Sequence, residues 1–268
     1  MSNIIVPVIR FLSAAISRTP IYPHWLEFQR FENLMKQLIP HLHGDVLEVG
    51  AGESKTKKRA LNENPKITNY TATDYSSWEE RFSEGDVLGQ SHSLIDQLHL
   101  RSGREPLDAV CSALNIPFAD ASFDCHLSTE VLEHIDDPVS YFKEASRVTK
   151  PGGFVILTVP FLFRIHPDFQ SDFYRIAPAG IDTIAKSFGL RTEKVIANTG
   201  AGANCSYLFN QWIIRYYMEL KMLIPFKALI LFLMPFAFCG SNLFGIFIDA
   251  VKLDTRFASR FLIILKKL

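Results

Sequence analysis

The chain has 268 residues, of which 48% are hydrophobic, and this length suits one α/β domain with an additional element or two small domains. Its 28 Lys and Arg residues balance its 28 Asp and Glu residues, so the formal net charge is zero. This balance gives no electrostatic support for nucleic acid as a partner. The four cysteines form no CxxC pair, which favours buried, reduced thiols in a cytoplasmic protein.

Two helices are predicted at the start of the chain. The stretch "MSNIIVPVIRFLSAAISR" lacks a basic segment before its apolar part, which favours an amphipathic helix over a cleaved signal. The segment His24–Ile39 has apolar residues at helical spacing and ends before Pro40. We expect residues 1–40 to pack as helices on the core.

Strands and helices then alternate along the chain. The predicted strands are, in order, "DVLEVG", "ITNYTATDYS", "LDAVCSAL", "FDCHLST", "FVILTVPF", "RTEKVIAN" and "ASRFLIILKKL". Helices are expected from Ser54, from Pro138 with Asp137 as its N-cap, and from Pro178. The pattern predicts a Rossmann-like, seven-stranded, mostly parallel sheet with helices on both faces. Ligands of such sheets bind at the carboxyl ends of the strands.

A glycine turn follows the first strand, in "DVLEVGAGES". Gly50 and Gly52 let the backbone come close to a ligand, and Glu48 lies just before them. Asp74, at the end of the second strand, can accept hydrogen bonds from both hydroxyls of a ribose. The turn lacks the third glycine of the dinucleotide fingerprint and the lysine of a phosphate-binding loop. Together these residues indicate a bound nucleoside.

The order of five motifs resembles the class I S-adenosylmethionine-dependent methyltransferases, especially the type 11 branch. The motifs are "VLEVGAGES", "TATDYS", "ALNIPFADASFD", "STEVLEHIDDP" and "EASRVTKPGGFVILTVP", which together cover about Asp45 to Phe161. The resemblance implies S-adenosyl-L-methionine as the cofactor and methyl transfer as the reaction.

The resemblance also implies a role for each residue that matches a motif. Glu48, Gly50, Ala51 and Gly52 would hold the methionine side of the cofactor, and Asp74 would bind its ribose. At the adenine site, Ser112 stands where the family often has an acid. The remaining expected cofactor-binding residues are Tyr75, Ala113, Leu114 and Ser128.

The expected catalytic residues are His166, Glu130 and Tyr174. His166 would act as a general base, or alternatively would only shape the pocket. If "EVLEH" is a helical turn, Glu130, Glu133 and His134 share one face and could bind a divalent metal together with His166. The favoured alternative is that no metal is bound and that these side chains support the pocket.

The segment "SDFYRIAPAGI" (Ser171–Ile181) resembles one in methyltransferases of surface-polysaccharide and glycolipid assembly. Two interpretations of its polar residues remain open. Asp172, Tyr174 and Arg175 could recognise the acceptor, or Asp172 and Arg175 could pair and anchor the loop before the next helix.

An apolar insert, residues 206–250, precedes the last predicted strand. Its segment Ala228–Ile248 has no charged residue and a length close to one bilayer span. The residues expected to break it are Pro235, Gly240, Ser241, Asn242 and Gly245. A single crossing would also separate the last strand from its sheet. We therefore expect two short helices in contact with one membrane leaflet, with a lid or dimer interface and a true span as alternatives. The polar and aromatic residues that suit an interfacial position are Arg215, Lys221, Lys227, Trp212, Tyr216 and Tyr217.

The expected organisation is a methyltransferase domain of residues 41–205 and 251–268, interrupted by the insert. The expected activity is O-methylation of a glycan or lipid-linked glycan by a cytoplasmic enzyme, peripheral at the inner face of the membrane. The alternatives are methylation of a lipid or quinone, and an inactive, cofactor-binding protein that recruits a partner to the membrane. No nucleic-acid partner is expected.

Overall fold

The computed structural model describes residues 16–52, 54–75, 107–165 and 172–268. The helix expected before residue 16 and the candidate base His166 lie outside these residues. The chain divides into two compact units. The sheet unit consists of Leu34–Phe161, Ile165–Ile196 and Arg260–Leu268, and the helical unit consists of Met1–Asn33, Leu162–Arg164 and Ala197–Ser259.

Six α-helices and seven strands are found in the described residues. The helices are α1 (Trp25–Leu38), α2 (Lys55–Glu63), α3 (Pro138–Val148), α4 (Pro178–Lys186), α5 (Ala201–Glu219) and α6 (Ile224–Val251). The strands are β1 (Gly44–Val49), β2 (Ile67–Asp74), β3 (Ala109–Val110), β4 (Phe123–Thr129), β5 (Thr149–Pro160), β6 (Leu190–Ala197) and β7 (Arg260–Lys267).

The seven strands form one sheet in the order β3-β2-β1-β4-β5-β7-β6. The neighbours β1 to β5 pair in parallel, whereas β7 is antiparallel to β5. The predicted fold is confirmed. Because β1, β2 and β4 run in parallel, Val49, Asp74 and Thr129 mark the same edge of the sheet.

Apolar strands and helix faces form the core of the sheet unit. Leu47 in β1 and Leu157 in β5 are fully buried, as is Ile263 in β7, so the central strands are covered on both faces. Helix α3 begins as predicted, because Oδ1 of Asp137 accepts hydrogen bonds of 3.1 Å from the amides of Val139 and Ser140.

Two strand predictions were wrong in extent. Strand β3 has only two residues, because the chain turns at Ser112, whose carbonyl accepts a hydrogen bond from the amide of Asn115. Strand β5 begins at Thr149, so "KPGG" belongs to the strand. A register shift between Phe123 and Cys125 of β4 accommodates these extra residues.

The predicted break in the apolar insert was also wrong. Helix α6 continues for 28 residues with Pro235 inside it. An internal proline costs about 3 kcal/mol, because it removes one hydrogen bond and crowds the preceding turn. Packing against α5 offsets this cost. Asn242 and Gly245 are buried at the contact with α5, so they serve packing rather than helix termination.

Candidate cofactor and acceptor site

The glycine turn after β1 is tied to the end of β2. The Ala51 amide donates a 2.9 Å hydrogen bond to the carbonyl of Thr73. Gly50 has φ of +72°, and a Cβ there would overlap the Val131 side chain. At Gly52, by contrast, a Cβ would meet no heavy atom of the described residues within 4 Å. The two glycines therefore let the turn adopt a backbone conformation that side chains at these positions would disfavour.

Asp74 links the end of β2 to this turn. Its Oδ2 accepts a 2.9 Å hydrogen bond from the Gly52 amide, and its Oδ1 accepts one of 2.7 Å from the Tyr75 amide. A carboxylate has about four acceptor positions, and these two bonds fix the orientation of the Asp74 side chain. The structure thus brings together three of the expected cofactor residues.

Glu48 is the buried acid of the site. The Tyr70 hydroxyl donates a 2.9 Å hydrogen bond to its Oε2, whereas Oε1 has no hydrogen-bond partner among the described residues. Burial raises the pKa of Glu48 to about 7. Sequence reasoning missed Tyr70. Its alternation with Ala72 and Asp74 on one face of β2 is the signal that could have found it.

The expected adenine segment lies next to Asp74. The amide of Cys111 donates a 2.8 Å hydrogen bond to the carbonyl of Asp74. Ser112 is exposed, and its hydroxyl accepts a 3.1 Å hydrogen bond from the Leu114 amide, whereas Ala113 is buried. These residues are therefore placed beside Asp74, with one side-chain oxygen at the surface.

The side chain of Ser128 is too deeply buried to contact a ligand. It is 1% exposed, and its Oγ lies 2.6 Å from the Tyr141 hydroxyl. The side chain therefore joins β4 to α3. Its role in binding the cofactor stays a prediction.

The sequence suggested that Glu130 shares one face of a helical turn with Glu133 and His134. This was wrong for Glu130, which lies outside the turn. The turn spans only Leu132–His134, and Glu130 precedes it with φ of +56°. Its carboxylate accepts a 3.0 Å hydrogen bond from Oγ1 of Thr158 and one of 3.1 Å from Nε of Arg260. Sequence reasoning missed both partners, because they come from strands distant in the chain.

Glu133 lies within the turn and is almost fully buried. Its side chain is 1% exposed, and neither carboxylate oxygen has a hydrogen-bond partner in the described part of the chain. Nε2 of His134 lies 3.9 Å from Oε1. Burial, together with the nearby Glu130 carboxylate, raises the pKa of Glu133 to about 8. Glu133 therefore holds a proton at neutral pH. It lines a small recess with Leu132, Val159, Pro160, Tyr174 and Ile176.

The alternative metal site was suggested for Glu130, Glu133, His134 and His166, of which His166 lies outside the described residues. Within residues 16–52, 54–75, 107–165 and 172–268, no group of three or more His, Cys, Asp or Glu side chains is arranged to hold a metal ion. Arg260 and Thr158 already bind the Glu130 carboxylate.

The loop before α4 is anchored by an ion pair. Both terminal nitrogens of Arg175 donate to the Asp172 carboxylate, and the Nη2–Oδ2 distance is 2.7 Å. The Phe173 amide donates a 2.7 Å hydrogen bond to the carbonyl of Glu133. The Tyr174 hydroxyl donates one of 3.2 Å to the carbonyl of Asp136. The anchoring pair is thus confirmed, whereas contact of Tyr174 with an acceptor stays a prediction.

Comparison with known proteins gives a matching family and several relatives. Residues 47–157 match the family described as "Methyltransferase domain". An uncharacterized methyltransferase of Mycobacterium tuberculosis (strain ATCC 25618 / H37Rv) is 40% identical over 67 residues, which are 24% of this chain and 26% of the relative. One of Mycolicibacterium gilvum (strain PYR-GCK) is 37% identical over 70 residues, 26% of each chain. The matches span about a quarter of the length of these relatives.

Residues 47–157 form a methyltransferase domain of class I. The alignment covers the glycine turn, Asp74 and the "EVLEH" segment, but not α5, α6 or β7.

Solved structures support the fold of the methyltransferase domain. Geranyl diphosphate C-methyltransferase from Streptomyces coelicolor A3(2) has a TM-score of 0.51 at 14% identity, covering 88% of this chain and 77% of the other. The [4+2]-cyclase SpnF has a TM-score of 0.51 at 15% identity, covering 88% of this chain and 80% of the other. At these identities the likeness shows the fold alone.

Proposed function

We propose that the whole chain is an S-adenosylmethionine-dependent methyltransferase whose acceptor is a hydroxyl of a glycan or lipid-linked glycan beside a membrane. The observation that supports it best is the position of Asp74, which meets the glycine turn at Gly52 with a 2.9 Å hydrogen bond. We propose that a nucleoside with an amino-acid tail binds at this place on the sheet edge.

The residues at this edge have the chemistry that such a cofactor needs. Asp74 would accept hydrogen bonds from the ribose hydroxyls, and the buried carboxyl group of Glu48 would accept one from a cationic or polar group of the methionine side. Ser112 would meet the adenine. When bound, S-adenosylmethionine supplies a methyl group on a sulfonium sulfur. The protein then has to position the acceptor in line with it, which alone can lower the barrier by several kcal/mol, roughly 7–11 at best.

A hydroxyl acceptor must also lose a proton. His166 is the base proposed from the sequence, and the structure adds Glu133, which is buried beside Tyr174 without a hydrogen-bond partner in the described residues. The raised pKa of about 8 keeps Glu133 neutral at pH 7 and makes it a base in mildly alkaline solution. Glu130, fixed by Arg260 and Thr158, is a positioning residue in this proposal.

The membrane-proximal acceptor is supported by the sequence of two segments. "SDFYRIAPAGI" resembles methyltransferases of polysaccharide and glycolipid assembly, and the insert of residues 206–250 is apolar and largely exposed. We propose that this insert makes peripheral contact with the inner face of the membrane. The same exposed surface favours a second candidate function, methylation of a lipid or quinone.

The function is tested by comparing lipids and glycolipids of cells that contain the wild-type chain, Asp74→Ala or Asp45→Ala. Asp45 lies at the opposite end of β1, so it serves as the matched control. We expect a glycolipid to lose one CH₂ unit with Asp74→Ala and to keep it with Asp45→Ala, as measured by mass spectrometry. A change confined to quinones or membrane lipids would favour the second candidate. Unchanged glycolipids, lipids and quinones would contradict methyl transfer and favour an inactive, recruiting protein.

A further inference from the structure

Helix α6 is long and apolar enough to cross a membrane, and it is the one such helix in the described residues. The most apolar 18-residue window of α6 has a mean hydropathy of 1.9, and 22% of that window is buried. Length and composition are weak evidence, since the core helix of a water-soluble protein passes the same test. The distribution of buried residues between α5 and α6 is more informative.

The α5–α6 pair buries small and polar residues and exposes apolar ones, which is the reverse of a helix pair in a water-soluble protein. The buried residues of α5 are Gly202, Ala203, Asn204, Ser206, Tyr207 and Asn210. Those of α6 are Met234, Phe238, Asn242, Gly245 and Asp249. Water-soluble helices bury Leu, Ile and Phe and expose polar residues. Small and polar residues between helices, with apolar residues outside, are typical of helices that pack in lipid.

The contact between the two helices, which we term the polar seam, is close and specific. A Cβ on Gly202 would overlap the carbonyl oxygen of Gly245, so only glycine permits this approach. The Ser206 hydroxyl lies 2.7 Å from the carbonyl oxygen of Ser241. Nδ2 of Asn210 donates a 3.2 Å hydrogen bond to Oδ1 of Asn242.

Asp249 and Asn242 of the polar seam are hydrogen-bonded within the protein. Asp249 accepts hydrogen bonds of 2.8 and 3.2 Å from the amides of Gly202 and Ala203 at the start of α5, and Arg30 lies 3.6 Å from it. Nδ2 of Asn242 donates to the carbonyl of Pro20, at 2.7 Å. Among the described residues, Oδ1 of Asn204 and Oδ1 of Asn210 are buried without a hydrogen-bond partner. The polar groups that are paired hold the two helices together without a shell of water around their outer faces.

The exterior of α6 carries an apolar stripe along one face, interrupted at Gly240 between Phe236 and Leu243. Its members are each at least half exposed: Leu229, Phe232, Leu233, Phe236, Leu243, Phe244, Phe247 and Val251. At 1.5 Å per residue the stripe is roughly 33 Å long. No charged residue interrupts it between Ala228 and Ile248.

Basic residues flank the α6 stripe. Residues 206–259 contain five Lys and Arg residues and three acids, although the whole chain has no net charge. Of the acids, Asp249 is buried, Glu219 is 3.1 Å from Arg215, and Asp254 is 2.6 Å from Arg256. The cations that bear the excess charge are Lys221, Lys227 and Lys252. This charge complements anionic lipid headgroups.

We propose that α6 lies flat in one leaflet of an anionic bilayer, with the α6 stripe at the acyl boundary and Lys227 and Lys252 at the headgroups. A crossing would place the Pro20 and Tyr22 carbonyls, which bind Asn242 near the middle of the charge-free run, at the depth of the hydrocarbon. An in-plane helix inserts only its stripe. This inference deepens the membrane contact of the proposed function and does not depend on methyl transfer.

Vesicle flotation in the absence of cofactor and acceptor tests whether α6 binds an anionic bilayer through its apolar stripe. The vesicles contain phosphatidylcholine with or without phosphatidylglycerol. We expect Phe236→Glu and Phe244→Glu each to lower the partition coefficient at least about tenfold. Val139→Glu is the control, since Val139 is 53% exposed but lies on α3. In the double variant Lys227→Glu/Lys252→Glu, the partition coefficient should fall at least about fivefold on vesicles that contain phosphatidylglycerol. It should not change on vesicles of phosphatidylcholine alone. Near-UV circular dichroism verifies that each variant is folded.

Orientation is measured by quenching with lipids that carry the quencher at different depths. Tryptophan is introduced as Phe232→Trp and Phe247→Trp, whose side chains lie near opposite ends of the α6 stripe. Equal, shallow depths support the in-plane arrangement, whereas unequal depths indicate a crossing or a dip and overturn it.

Two further outcomes would overturn the proposal. One is wild-type protein that fails to float on anionic vesicles, which implies a lid. The other is a lipid-free dimer, seen by sedimentation, that Phe236→Glu dissociates without changing flotation. Because S-adenosylhomocysteine binding is measured separately, neither outcome is confused with failure of the proposed methyl transfer.

Discussion

Glu48, Glu130 and Glu133 are carboxyl groups held largely away from water near the carboxyl ends of β1 and β4, and their surroundings differ. Tyr70 binds Glu48, and Thr158 and Arg260 bind Glu130. Glu133 has no hydrogen-bond partner among the described residues. An unpaired buried carboxylate is costly, so Glu133 is the carboxyl group most strongly biased toward its protonated form.

This bias predicts how stability changes with pH. The pKa of Glu133 is raised to about 8 in the folded chain, whereas in the unfolded chain it has its ordinary, lower value. Between these two values the unfolded chain loses the proton and the folded chain keeps it, so the free energy of unfolding falls as pH rises. We expect Glu133→Gln to gain stability relative to wild type by about 1 kcal/mol per pH unit between pH 5 and 8. Urea unfolding at several pH values measures this difference.

Glu144→Gln is the matched control for Glu133→Gln. The Arg147 guanidinium lowers the pKa of Glu144, so this variant should show no relative gain above pH 5. Parallel stability curves for wild type and Glu133→Gln would contradict a protonated Glu133.

The sequence predicted the residues that lie next to one another in a motif, and it missed those that meet only in the fold. Gly52 and Asp74 were predicted from the motif order and do meet. Arg260 was missed because its partner Glu130 is 130 positions away in the chain. Glu130 was placed on a helical face because its positive φ is not visible in "EVLEH".

At the scale of elements, the sequence predicted the ends of buried strands better than it predicted the continuity of helix α6. The buried strands β2 and β4 were predicted with their observed ends, because apolar runs bounded by polar turns are clear signals. Helix α6 was expected to break, because Pro235 and glycine disfavour helix in water. The prediction failed because contacts with α5, which are non-local, stabilise the helix.

The polar seam predicts opposite effects for two glycines of α6. A Cβ on Gly245 would overlap Oγ of Ser206, whereas one on Gly240 meets no heavy atom within 4 Å. We expect Gly245→Ala to destabilise the chain by about 1–3 kcal/mol through overpacking. Gly240→Ala should stabilise it by up to about 1 kcal/mol, because alanine favours helix. Thermal unfolding in detergent-free buffer measures both, and equal effects of the two substitutions would contradict the close contact.

At the scale of the whole molecule, the chain combines two units of different character. The sheet unit has the fold and the glycine turn of a class I methyltransferase. The helical unit has a polar interior and an apolar exterior. The zero net charge of the chain conceals the local excess of lysine in the helical unit. Overall composition therefore gave no support for a nucleic-acid partner, whereas the basic residues beside the apolar segment are visible only when the sequence is examined segment by segment.

The central claim is that Asp74 and the glycine turn bind the cofactor of methyl transfer. Isothermal titration calorimetry with S-adenosylhomocysteine, on wild type, Asp74→Ala and Asp45→Ala, tests it most directly. Loss of two charge-assisted hydrogen bonds of about 1.5–3 kcal/mol each predicts at least about 100-fold weaker binding to Asp74→Ala. Asp45→Ala, altered at the other end of the sheet, should bind as wild type does. Equal binding to wild type and Asp74→Ala, or no binding to wild type, would contradict the account.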